Sequence, residues 1–152
     1  MILNIGCGRR PIEGAINHDL HKHADYIDVV HDLNEYPWPW EDETADTLYA
    51  KDVLEHLNNF VKSLEECWRI LRPNGMLYLS APHYQSDHGH DDPTHKWFLT
   101  LKSMDYFIRG TMYERDFGFY SSMRWKLHKR EIVRNDIRWT LEKDEAYDGR
   151  DP

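Results

Sequence analysis

Cysteine is nearly absent: Cys7 and Cys67 are the only two in 152 residues, and they form no CxxC pair. That excludes a disulfide framework and fits a reducing compartment. Also missing is any apolar run near the roughly 18 residues that a bilayer crossing needs. The opening MILNIGCG lacks the basic, apolar and cleavage regions of a secretory signal. The expectation is a cytoplasmic protein with no membrane partner. Positive charge is in deficit as well. Against 27 Asp and Glu stand 19 Lys and Arg, a formal net charge of -8, which opposes long-range attraction to nucleic acid. No internal repeat, low-complexity tract or long linker interrupts the chain.

What is present suits one globular domain. The hydrophobic share of 40% and aromatic share of 13% can build a core, and a mean hydropathy of -0.80 implies a well-solvated surface. The domain is expected over residues 1–143, with a flexible end over 144–152. Short β-type runs at Leu3-Asn4-Ile5, Ala15–Leu20, Tyr26–Leu33, Asp46–Ala50 and Met76–Ser80 alternate with helical or loop segments, the rhythm of an α/β parallel sheet. Between the last two runs, Leu54, Leu57, Val61, Leu64, Trp68 and Leu71 recur at three- and four-residue steps. They predict a helix over Val53–Leu71, divided at Asn58-Asn59 and stopped by Arg72-Pro73-Asn74-Gly75. Only Gly6–Gly14 separates the first two strands, too little for a crossover helix, so a loop is expected there. One face of the sheet is then thinly covered, and a second subunit is one way to protect it. Thr100 is read as the N-cap of a helix over Leu101–Ile108, and Phe117–Leu141 as strands that close the sheet as a hairpin.

The chemistry gathers at strand ends. The first strand runs into Gly6-Cys7-Gly8, where glycines let a ligand approach the backbone. Asp19 ends the second strand, placed to accept two hydrogen bonds from a ribose diol. His31-Asp32-Leu33 follows the third, and Lys51-Asp52-Val53-Leu54-Glu55-His56 the fourth. In open α/β sheets this carboxyl edge is where ligands bind. Glu55-His56 invites a catalytic reading, but a structural tie between helix and strand layer is preferred. Tyr36-Pro37-Trp38-Pro39-Trp40 is read as rigid packing in preference to a platform for a sugar or base.

The motifs LNIGCG, NHDL, HDLNEYPWPWEDETADTLYAKDVLEHL and ECWRILRPNGMLYLSAPH, in that order and followed by DPTHKWFLT, resemble a class I S-adenosylmethionine-dependent methyltransferase of the methyltransferase-11/23-like group. The resemblance implies a compact Rossmann-like fold, here without N-terminal helices. It also implies S-adenosylmethionine as cofactor, held by Gly6, Cys7, Gly8, Asp19, Leu20, Asp32, Leu33, Lys51, Asp52 and Val53. In that set Gly6 and Gly8 line the methionine end, Asp19 holds the ribose, and Asp32 and Leu33 flank the adenine. The chain departs from the family's pattern in having Asn4 in place of the usual acidic residue and Arg9-Arg10 in place of a third glycine.

The segment His83–His95 follows the fifth strand and should border the acceptor. Methyl transfer needs an aligned nucleophile within about 3 to 3.5 Å and a base only where the acceptor must lose a proton. His83 is the first candidate for that base and His88 the second, ahead of His90 and His95. The same segment contains imidazole and carboxylate in no HExxH or zinc-finger spacing. No metal is expected there, the alternative being a site at His88, His90 and His95.

The function expected is methyl transfer to oxygen or nitrogen of a small-molecule or glycan acceptor. DNA bases are disfavoured, because Lys51-Asp52-Val53-Leu54 stands where base N-methyltransferases carry DPPY or NPPY, and no PC nucleophile is present. The alternative is a non-catalytic module or partner subunit that keeps the fold. A homo-oligomer is compatible with either.

Overall fold

Alternation decides the sheet. β1 (Ile2–Ile5) turns Leu3 and Ile5 to one side and Asn4 to the other, and its neighbours repeat the pattern in register. The structure, a computed structural model, describes residues 1–144. Its sheet runs β3-β2-β1-β4-β5-β7-β6. β2 is Ile16–Asp19, β3 Val29–Val30, β4 Ala45–Lys51 and β5 Leu71–Pro82, and β1 to β5 pair with one another in parallel. β7 (Asp136–Asp144) pairs antiparallel with β5, and β6 (Arg124–Val133) pairs antiparallel with β7.

This is the mostly parallel Rossmann-like α/β sheet that the alternating runs predict, and the closing hairpin is present. The third strand, however, is two residues long instead of eight. Asp28 leaves the strand path to accept the backbone N–H of Asn17 at 2.8 Å, and Ile27 tucks wholly into the interior.

Leu3, Leu48, Leu77 and Leu141 lie side by side across four strands, as do Ile5, Ala50, Leu79 and Trp139. All are at most 2% exposed and join one core with the helix α1 (Phe60–Ile70) and with Met104, Phe107 and Ile108. The opposite face carries Asn4, Tyr49, Tyr78 and Thr140 in the same rows. No described helix lies in the first crossover, where Gly6–Gly14 is a loop as expected. Tyr49 and Tyr78 stack there at 4.9 Å and stay half-buried.

The helix between β4 and β5 divides where Asn58-Asn59 predicts. A 3-10 turn at Leu54–His56 precedes α1, and the Asn59 side chain caps α1 by accepting the Lys62 N–H at 2.9 Å. The inward face is rotated from the predicted one. Phe60, Leu64, Cys67 and Ile70 are buried, while Val61 and Trp68 only flank the core. Near the start of β5, where its pairing with β4 shifts register, the left-handed residue is Asn74 (φ 62), not Gly75. Gly75 is needed for another reason, since a Cβ there would stand 2.8 Å from the Arg72 carbonyl oxygen.

Two readings are corrected. Thr100 starts no helix: residues 101–108 make successive four-residue turns, such as Asp105 N–H to Lys102 O and Phe107 N–H to Met104 O. Thereby Met104, Phe107 and Ile108 all reach the core. Residues 117–123 are not strand either, because α3 (Met112–Phe117) and a 3-10 turn at Gly118–Tyr120 precede β6. Of the expected flexible end, Asp144 closes β7 and pairs with Arg109, and residues 145–152 lie outside the described residues. No helix among the described residues is long and apolar enough to cross a membrane.

The aromatic stretch is packing, with Trp38 and Trp40 in the core. Trp38 donates its backbone N–H to Glu66 Oε2 at 2.7 Å and its indole N–H to Leu33 O at 2.9 Å. Arg69 completes the clasp, donating to both Glu66 oxygens and to the Trp40 carbonyl. Glu66→Ala should therefore destabilise the protein by roughly 3 kcal/mol, since it strands a buried N–H and the arginine together. A loss of urea-unfolding free energy below about 1 kcal/mol would show that the clasp is not needed to hold the loop.

Candidate active site

The carboxyl ends of β1 and β4 meet almost without clearance. Gly6 has φ +58, and a Cβ on it would stand 2.4 Å from Val53 Cγ2, so no side chain fits. Its N–H donates to His18 Nδ1 at 3.2 Å. The other imidazole nitrogen of His18 donates to the His31 carbonyl at 2.9 Å, which fixes the tautomer, because a carbonyl only accepts. His18 is 1% exposed and edge-on to Trp40. The loop is held further by Asp19, whose Oδ2 accepts the Gly8 N–H and Oδ1 the Leu20 N–H, both at 2.7 Å.

A cavity of about 410 Å³ opens beside this junction, lined by Gly6, Asp19, Leu20, Asp32, Leu33, Asp52 and Val53 together with His18, His31, Asn34, His56, Leu57 and Thr94. Seven of the ten residues expected to hold a cofactor are thus gathered in one place. Cys7 and Gly8 stand behind it: Cys7 is 3% exposed and donates its N–H to the His18 carbonyl, and Gly8 is tied to Asp19. Lys51 is turned away, as the strand period requires. Its ammonium lies 4.9 Å from the Tyr49 ring centre on the uncovered face, beside a different hollow. His18 was not singled out in the sequence. Its place between two strand residues gave no sign that it holds the glycine loop from inside.

A second cavity, of about 470 Å³, adjoins the first and shares Asp52 and His56 with it. Its wall is rich in carboxylates and imidazoles: Glu55, His88, Asp91, Asp92, His95 and Asp136. Asp52 sits at the meeting point with φ 54, its Oδ2 paired with Arg10 at 2.9 Å and its Oδ1 accepting the Ser80 hydroxyl at 3.0 Å.

Glu55 does not tie the helix to the sheet through its side chain. It is 1% exposed, and neither carboxylate oxygen has a hydrogen-bond partner among the described residues. Burial pushes its pKa up to about 8, because desolvation disfavours the charged form. Burial and the neighbouring His95 hold His56 below the ordinary imidazole value, and burial beside Asp52 raises Asp136.

The histidines of the 83–95 segment separate. Its short helix α2 (Asp87–Asp91) is capped by Ser86. His83 follows β5 with its ring against Tyr84 and its Nδ1 accepting from the Gln85 N–H, and it lines neither of the two cavities. His88 lines the second cavity. His90 donates to the Tyr84 carbonyl at 2.7 Å and stacks on Phe98. His88, His90 and His95 do not cluster. Among the described residues, one group of three potential metal ligands comes together, Glu55, His56 and His95, with one ligand atom of each within 4.8 Å of the others.

Comparison with protein families matches residues 12–79 to the family described as Methyltransferase domain. A comparison with curated protein sequences returned no match. Solved structures are similar in fold. A SAM-dependent methyltransferase from Archaeoglobus fulgidus superposes with a TM-score of 0.65 at 17% identity, over 94% of this chain and 85% of that one. One from Thermotoga maritima gives 0.65 at 15% identity, over 94% and 82%. An S-adenosylmethionine-dependent methyltransferase from Mesorhizobium loti gives 0.62 at 11%, over 93% and 89%.

Burial lowers the pKa of His18, so below the ordinary imidazole value of 6.5 the folded chain binds fewer protons there than the unfolded one. Its contribution to stability is therefore complete above pH 6.5 and is lost as pH falls below it. Protonation also removes the acceptor for the Gly6 N–H. Unfolding midpoints between pH 7.5 and 5 should fall more steeply for the wild type than for His18→Gln, and parallel profiles would rule His18 out as the acid-labile group.

Proposed function

We propose that this chain, which shares its fold with S-adenosylmethionine-dependent methyltransferases and matches the methyltransferase-domain model over residues 12–79, is a class I enzyme of that kind and transfers the methyl group to an oxygen or nitrogen atom of a small-molecule or glycan-type acceptor. The observation that carries this reading is the pair of cavities that meet at Asp52 and His56. One is lined by seven of the residues expected to hold the cofactor, and the other mostly by acids and imidazoles, with Arg134 and Asn135.

The residues of the first cavity fit the cofactor. The bare Gly6 leaves a backbone cradle that a Cβ would fill, and about 410 Å³ lies within the range of ligand pockets. Asp19 is positioned to accept from the ribose hydroxyls with the lone pairs that its two backbone donors leave free. Asp32 and Leu33 flank the base, and Val53 packs against the glycine loop. When bound, S-adenosylmethionine supplies a sulfonium-activated methyl group. What the chain provides is orientation, with His56 and Asp52 forming the shared wall across which donor and acceptor face each other.

The second cavity selects the acceptor by charge and hydrogen bonding. Carboxylates of Asp52, Asp91, Asp92 and Asp136 accept from hydroxyl or ammonium groups and repel a phosphate backbone, which disfavours nucleic acid. His88 lines the same space and is available to take a proton from a hydroxyl acceptor. His83, just after β5, lines neither cavity and serves as base only for an acceptor that extends beyond them.

Calorimetry with S-adenosylmethionine and S-adenosylhomocysteine tests the first cavity, and release of S-adenosylhomocysteine against a panel of sugars and amines tests the second. Asp19→Ala should weaken cofactor binding by about 1 to 3 kcal/mol. An unchanged affinity in the folded variant would remove Asp19 from the ribose. Binding with no turnover across the panel would favour a cofactor-binding partner subunit.

A further inference from the structure

Glu55 is the anomaly of the site. A buried carboxyl with no hydrogen bond loses its hydration without replacement, and both Glu55 oxygens are in that state. It faces two imidazoles. His95 Nε2 lies 4.0 Å from Glu55 Oε1 and 4.0 Å from Asp92 Oδ2, and the His56 and His95 rings meet edge to face with centroids 4.6 Å apart.

Both imidazoles are already set as ligands. His95 donates its Nδ1–H to the Gly89 carbonyl at 3.0 Å, so its Nε2 carries the lone pair. For His56 the partner is the Thr94 hydroxyl, 2.7 Å from Nδ1. That hydroxyl spends its one proton on Asp92 Oδ1, also at 2.7 Å. It must therefore accept from His56, which leaves His56 Nε2 bare. A carbonyl or carboxylate-linked partner on the far nitrogen is how proteins orient histidine toward a metal.

We propose that Glu55, His56 and His95 bind one divalent transition-metal ion in the wall of the second cavity. Two imidazoles and a carboxylate suit zinc, iron, manganese or cobalt and disfavour calcium or magnesium, which prefer oxygen alone. Ligand atoms around such an ion stand about 3.4 Å apart, from bonds of about 2.1 Å. The present spacing, within 4.8 Å, closes with side-chain shifts of roughly 1 Å. Three protein ligands leave further coordination positions for the acceptor's oxygen or nitrogen atoms. The ion's function in transfer rests on the methyltransferase reading, whereas its binding does not.

The test uses tag-free full-length protein stripped with a chelator and titrated with cobalt(II) chloride, followed by visible absorption and calorimetry. One equivalent should bind the wild type with ligand-field bands of nitrogen and oxygen coordination. Glu55→Gln and His95→Ala should each weaken it by about a hundredfold or more. Both variants should bind S-adenosylhomocysteine within about threefold of wild type, since neither residue lines the first cavity, and that binding certifies the fold. No cobalt uptake by the wild type, or equal uptake by both variants, overturns the site. Cobalt binding that depends on Glu55 in a protein unable to bind S-adenosylhomocysteine would support the metal and sink the methyltransferase reading alone.

Discussion

The contact between Gly6 and Val53 is the constraint on which the site depends. β1 and β4 are hydrogen-bonded neighbours, and their carboxyl ends can converge only because Gly6 has no side chain to put into the 2.4 Å that separates its virtual Cβ from Val53. The convergence turns Asp52 into a left-handed residue and starts the 3-10 turn that carries Glu55 and His56. Widening that junction by one methyl group would displace the walls of both cavities at once.

Around it the polar groups are satisfied by one another. His18 accepts from Gly6, Asp19 accepts from Gly8, and Asp92 reaches His56 through the Thr94 hydroxyl. Around the buried His18 such hydrogen bonds rigidify what they connect, whereas the Asp92–Thr94–His56 chain lies at the surface. Glu55 stands out against this background: its carboxylate is as deeply buried as any of these groups and has no partner among the described residues. A group left unsatisfied amid satisfied neighbours points to a ligand supplied from outside the chain.

The sheet is asymmetric for a simple reason. The Gly6–Gly14 connection is too short for a crossover helix, so α1 and the turns of residues 101–108 pack on one face, while Tyr49, Tyr78 and Lys51 remain on the other. The stacked tyrosines shield part of that face themselves.

The alternation of apolar runs and the Asn58-Asn59 break were enough to determine the parallel strands, the divided helix and the closing hairpin, because period and capping are local properties. The residues at strand ends, from Gly6 and Asp19 to Asp32 and Val53, were legible for the same reason: a parallel sheet brings its carboxyl ends to one edge. Lys51 was misplaced because side chains alternate across a strand, and its neighbour Asp52 has a positive φ that no pattern announced. The turns of residues 101–108 depend on core side chains far away in sequence. Only the tertiary structure could bring Glu55 and His56 against His95, nearly 40 residues on. Proximity across a loop is set by packing and hydrogen bonds such as Lys96 N–H to Glu55 O, and spacing along the chain contains no record of it.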